Sequence, residues 1–144
     1  MSEQTKGVAL RYIREVYEKG NIAIVDELLA NNYLCYEPGA DGPGDREATK
    51  RSLEMYRSAF PDMQSPVEQA LVDGDTIALR LRLTGTHRGE FAGMPATGRR
   101  VDLPWAVFFR VAGGKIVEER DFYDQASLMQ ALQANPERAR EGHH

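Results

Sequence analysis

The stretch Gly114-Lys115-Ile116-Val117-Glu118-Glu119-Arg120-Asp121-Phe122-Tyr123-Asp124 follows a Gly113-Gly114 turn and reads as a strand. It sets an acid, Asp121, among large aromatic and apolar residues. A carboxyl pressed against apolar surface has its charged form disfavoured, which moves its pKa toward values useful for proton transfer. Strand alternation puts Asp121 on one face with Val117, Glu119 and Tyr123, and sends Arg120 and Phe122 to the other. Glu118 and Glu119 read as solvated strand residues, and Asp124 as the cap of a final helix. Two further side chains could take part in chemistry. Arg82 could orient Asp121, anchor an anionic group, or form a surface salt bridge. His87 could hydrogen-bond a ligand or sit as a satisfied structural histidine.

These residues need a scaffold, and the hydrophobic period supplies one. From Thr5 to Lys19, Val8, Ala9, Tyr12, Ile13, Val16 and Tyr17 recur at helical spacing, and Gly20 ends the helix. Asn21 caps a second, shorter helix with Ile22, Val25, Leu28 and Leu29 on its buried side, ended by Asn31 and Asn32. Tyr33-Leu34-Cys35-Tyr36 reads as extended, and Glu37 to Asp45 as a loop rich in glycine and proline. Asp45 caps a third helix carrying Leu53, Met55, Tyr56 and Phe60, which stops before Pro61. The period then changes to two. Val67–Val72 leads to an Asp73-Gly74 hairpin signal. Ile77, Leu79, Leu81 and Leu83 alternate with polar or small residues, as do Val101, Leu103, Trp105, Val107 and Phe109 with theirs. A connection from Gly85 to Gly98 separates these two strands, and a last short helix spans Gln125 to Leu132. Helices first and hairpin-linked strands later predict an α+β domain with helices packed on an antiparallel meander, and a curved sheet would leave a pocket between the layers.

Composition narrows the function classes. The chain has 144 residues, a net charge of −4 and no clustering of Lys and Arg on one element, so no nucleic-acid partner is expected. Cys35 is the single cysteine, which excludes an internal disulfide, and no zinc-type ligand cluster is evident, so no metal is expected. No apolar run approaches a membrane span, and no signal segment is seen, so a cytoplasmic protein without a membrane partner is expected. Residues 1–136 read as one domain and 137–144 as a tail whose His143-His144 looks like a tag remnant.

Two segments together carry a family resemblance: Gly85-Thr86-His87-Arg88-Gly89-Glu90-Phe91-Ala92-Gly93-Met94-Pro95-Ala96-Thr97-Gly98-Arg99-Arg100 and the Gly114–Asp124 strand. With the helical first half, they resemble the SnoaL-like polyketide cyclase (ester cyclase) family of the NTF2-like superfamily, the cystatin-like α+β cones. The resemblance runs roughly from Lys6 to Leu132. It implies a cone with a deep apolar pocket and a cofactor-independent enzyme that closes a ring by intramolecular aldol condensation. An aspartate at the position of Asp121 would be general acid and base, with His87 and Arg82 as helpers. The substrate would be a hydrophobic, oxygenated small molecule held by Tyr33, Tyr36, Phe60, Phe91, Met94, Trp105, Val107 and Tyr123. The resemblance also implies a homodimer.

The chain departs from the family at one point: the cyclases carry a histidine on the neighbouring strand where this chain has Val107. The final strand also resembles that of limonene-epoxide hydrolases, whose arginine and second aspartate correspond here to Arg82 and Thr84, so the acid pair is incomplete. A non-catalytic binding module, or a hydrolase or isomerase like the ketosteroid isomerases of the same fold, are the alternatives.

Overall fold

The computed structural model describes residues 2–133; the tail at 137–144 lies outside them. The first helical pattern divides in two. Helix α1 (Ser2–Tyr12) gives way to a wider π turn, Ile13–Glu18. Ala9, Tyr12, Ile13 and Val16 are buried as the spacing requires. The expected second helix is much shorter, a 3-10 turn at Ile22–Ile24 followed by one turn of α2 (Val25–Leu28). Strand β1 (Leu29–Tyr36) begins there, so Asn31 and Asn32 are strand residues and not helix ends. Helix α3 (Arg46–Ala59) starts where expected, with Asp45 accepting the Ala48 N–H at 2.9 Å, and ends before Pro61. Its Met55 faces outward.

Strands β2 (Val67–Asp73), β3 (Thr76–Thr86), β4 (Arg100–Ala112) and β5 (Lys115–Phe122) form an antiparallel meander. Strand β1 joins it parallel to β5, giving the order β1-β5-β4-β3-β2. Helix α4 (Gln125–Gln133) follows, capped by Asp124, which accepts the Ser127 N–H at 3.2 Å. The inner face of the sheet carries Ile77, Leu79, Leu81, Trp105, Val107 and Phe109, against which α1 and the π turn pack. A second cluster around Phe60, Phe91, Val101, Leu128 and Leu132 closes the other end. The α+β cone expected from the sequence is therefore the observed fold.

Strand β5 is irregular at one point. Arg110 pairs with Glu118 but Val111 pairs with Ile116, so Val117 is an extra residue in the strand. Such a bulge re-aims the side chains on either side of it. Ile116, Glu119 and Asp121 face inward and Val117 is half-buried, which corrects the simple alternation that grouped Val117 with Asp121.

The Gly85–Arg100 segment is stitched to its surroundings by backbone. The N–H groups of Arg88 and Gly89 donate to the Ala59 carbonyl at 2.9 and 3.2 Å. A Cβ on Gly89 would lie 2.4 Å from the Ser58 carbonyl oxygen. Backbone cannot yield there as a flexible side chain would, so Gly89→Ala is expected to destabilise the protein by about 1–3 kcal/mol, the range for overpacking. Urea denaturation of the two proteins checks this.

Candidate functional site

A cavity of about 190 Å³ opens between the inner face of the sheet and α3. Strand β5 supplies its floor with Glu119 and Asp121, β1 supplies Cys35, and β4 supplies Trp105. Tyr17 comes from the π turn, and Thr49, Leu53 and Tyr56 from α3. Among the described residues no Lys, Arg or His lines it.

Asp121 is 7% exposed. Its Oδ2 accepts a hydrogen bond from the Cys35 thiol at 3.6 Å, and its Oδ1 has no partner among the described residues. Burial pushes the Asp121 carboxyl well above the ordinary aspartate range. The charges of Glu119 and Glu37 push the same way, and the Cys35 thiol opposes. This is the environment in which a carboxyl can hold a proton near neutral pH.

Glu119 is wholly buried, which corrects its reading as a solvated residue. Its Oε1 accepts from the Tyr33 hydroxyl at 2.5 Å and its Oε2 from the Tyr17 hydroxyl at 3.0 Å. Burial, reinforced by the nearby Glu119 charge, raises both phenols well above their usual range, so they remain donors. Burial, again followed by Glu119, pushes the Cys35 thiol and the Glu37 carboxyl up. Cys35, Glu119 and Asp121 each bring a donor atom within 4.8 Å of the others. Two phenols and a thiol donate hydrogen bonds into the two carboxyls of this cluster.

Of the residues singled out in the sequence, the structure brings Asp121, Trp105 and Tyr123 to the cavity wall. Phe91 lines an adjoining hollow, which shares Tyr56 and Tyr123 with the cavity. Tyr33 stands behind Glu119 as its hydrogen-bond donor. Val107 is fully buried beneath Asp121, its partner across the ladder. Phe60 packs in the second core cluster, and Met94 packs against that cluster from the side. Tyr36 alternates to the outer face, where the Arg120 guanidinium lies 4.0 Å from its ring centroid.

Arg82 and His87 are not beside Asp121. Alternation with the buried Leu81 turns Arg82 outward, where its Nε donates to Asp102 Oδ1 at 2.6 Å. His87 is buried against Phe60, with Nδ1 2.9 Å from Thr97 Oγ1. Sequence reasoning missed Glu119, Tyr17, Cys35, Glu37 and Tyr56 as site residues. The period-two pattern through Asp121 was the signal for Glu119, and nothing in the sequence separated Tyr17 from its core-facing neighbours.

The raised Asp121 pKa has a stability consequence with a definite sign. Above the ordinary value of 3.8 the unfolded aspartate ionises while the native one stays neutral, so this residue lowers stability as pH rises. Asp121→Asn is therefore expected to be more stable than the wild type at neutral pH. The advantage should vanish as pH falls below 3.8. Urea midpoints measured across that range decide it.

With this geometry in hand, comparison with known proteins is informative. Residues 7–132 match the family model for SnoaL-like polyketide cyclases. The chain is 31% identical over 129 residues to aklanonic acid methyl ester cyclase DauD of Streptomyces sp. (strain C5), covering 85% of this chain and 78% of that one. It is 30% identical over 130 residues to the DnrD enzyme of the same name from Streptomyces peucetius, covering 85% and 87%. Among solved structures, a protein of Jannaschia sp. CCS1 described as a SnoaL-like polyketide cyclase superposes with a TM-score of 0.86 at 27% identity, covering 94% of this chain and 95% of that one. AclR of Streptomyces galilaeus, described as a hydroxylase, superposes with a TM-score of 0.82 at 26% identity, covering 94% and 100%. The chain belongs to the SnoaL-like polyketide cyclase family.

Proposed function

We propose that this protein is a cofactor-independent cyclase that closes a ring of a neutral, esterified aromatic polyketide by intramolecular aldol condensation, with Asp121 as the proton-transfer group. The observation that carries the reading is the state of Asp121: buried at the cavity floor, its pKa raised, one oxygen without a partner among the described residues. A binding module has no need of such a group, and its desolvation would be a pure cost.

In this reading the ionised form of Asp121 takes a proton from the carbon flanked by the substrate's carbonyls. The resulting enolate attacks a ketone carbonyl of the same molecule, a carbon–carbon bond forms, and the ketone oxygen becomes an alkoxide. The proton then passes to that alkoxide, so protons balance over the cycle. The cavity supplies the folded, reactive conformation, which is a large share of any intramolecular reaction's advantage. Val107 offers no polar atom where the family's histidine stands. Trp105 supports a different contact, because it lines the cavity and its Nε1 has no partner among the described residues, so it is available to a substrate oxygen. Acids without a neighbouring cation favour an ester over a free carboxylate, by like-charge repulsion. The methyl ester in the names of the two Streptomyces relatives agrees with that preference.

Asp121→Asn is expected to slow cyclisation of such an ester by about 10²–10⁴-fold, the usual contribution of a general acid–base, with ligand affinity little changed. Arg82→Ala, on the outer face, is expected to leave turnover as it is. Wild-type turnover in Asp121→Asn would exclude the assignment.

The same proposal includes a homodimer through the outer sheet face. Phe108 and Phe122 stand exposed there, edge to face at 5.8 Å. Sedimentation is expected to give a dimer for the wild type and a monomer for the Phe108→Glu, Phe122→Glu double variant. A wild-type monomer would remove this part of the proposal.

A further inference from the structure

Strand β5 delivers two carboxyls, not one, to the same enclosed space, and no cation lines that space among the described residues. The titratable groups facing the pair are Tyr12 from α1, Tyr17 from the π turn, Tyr33 and Cys35 from β1, Glu37 just after β1, Tyr56 from α3, and Tyr123 after β5. None of these is a cation. Two carboxylates within 4.8 Å of each other in a desolvated site cannot both remain ionised at neutral pH.

Geometry says which of the two carries the proton. Glu119 accepts a phenol hydrogen bond on each oxygen, from Tyr33 at 2.5 Å and Tyr17 at 3.0 Å. That is the environment of a carboxylate, since hydrogen bonds donated to the charged form favour it. Asp121 has only a thiol, a weak donor, at 3.6 Å, and its Oδ1 has no partner among the described residues. We propose that Glu119 and Asp121 hold a single proton between them at neutral pH, that the tyrosine-bound Glu119 is the charged member, and that Asp121 is thereby kept as a proton-bearing acid facing the ligand.

This rests on the reading of Asp121 as the proton-transfer group and adds a positioning residue to it. As Asp121 takes the carbon proton, the proton it held moves to Glu119. When the alkoxide is protonated, Glu119 returns its proton, and the pair again holds one. The site can thus act as base and then as acid without exchanging protons with bulk water. A monoanionic pair also selects ligands: a neutral carbonyl can accept from Asp121, whereas a carboxylate meets the Glu119 charge.

The test is a carboxyl ¹³C NMR titration of the full chain, as wild type, Glu119→Gln and Tyr33→Phe, with near-UV circular dichroism to confirm folding. The wild-type Asp121 carbon is expected to keep the chemical shift of a neutral carboxyl through neutral pH. Its midpoint should fall by about one unit or more in Glu119→Gln, the scale that marks coupled sites. It should fall by less, in the same direction, in Tyr33→Phe, which frees Glu119 to share the proton. Should Glu119→Gln fail to fold, the shape-conserving Tyr33→Phe decides. An Asp121 midpoint unmoved by these changes overturns the proposal. So does a wild-type protein in which both carboxyls are ionised around a stoichiometric divalent cation found by elemental analysis. Full turnover in Asp121→Asn would remove the catalytic reading while leaving the shared proton measurable by itself.

Discussion

The interior is built around one awkward group, the Glu119 side chain, which has no exposure and no cation to meet it among the described residues of the cavity. A buried polar group is tolerated only where hydrogen bonds replace the water it lost. Three features of the backbone serve that requirement. The π turn Ile13–Glu18 accompanies the inward placement of the Tyr17 hydroxyl. The early start of β1 at Leu29 sets Tyr33 in a strand whose alternation points it at β5. The extra residue at Val117 puts Glu119 and Asp121 together on the inner face. Each is a departure from regular geometry or from the expected helix ends, and each converges on the same pair of acids.

The Gly85–Arg100 segment, one of the two that carry the family resemblance, is held together by its own hydrogen bonds. In Gly85–Arg100, the His87 N–H donates to the Arg99 carbonyl, Gly98 donates to the His87 carbonyl, and the Thr97 hydroxyl meets the His87 ring. Arg88 and Gly89 tie the segment to the end of α3. The motif fastens the second core cluster, and α3 forms one wall of the cavity. None of its residues lines that cavity, which the segment reaches through that wall.

Much of this was legible in the sequence because periodicity is a local property. The alternations of β3 and β4, the Asp45 and Asp124 caps and the Gly113-Gly114 turn each depend on a few neighbouring residues, and all appear where expected. The burial of Asp121 was legible too, since it sits in a strand otherwise built for burial. Glu119 was misread because an isolated strand glutamate is usually solvated. Its burial depends on tyrosines distant in sequence. Of the readings open for Arg82, the structure shows the surface salt bridge, with Asp102, on the outer face to which alternation with Leu81 and Leu83 assigns it. Tyr36 likewise lies one residue out of phase with the inward Cys35. The bulge at Val117 and the parallel placement of β1 are set by tertiary packing, and no local pattern announces them.

That parallel placement also bears on when the site comes into being. Tyr33 and Cys35 are each 86 residues from the acids they bind, and Tyr17 is 102 from Glu119. By contrast, β3, β4 and β5 are joined by near-neighbour pairings that close early, since loop entropy favours local contacts. During synthesis the first half of the chain emerges carrying its phenols and thiol with nothing to donate to. The acids arrive with β5, and only its pairing with β4 creates the edge on which β1 brings Tyr33 and Cys35. The shielded pair of acids therefore comes into being only once the cone is closed around it.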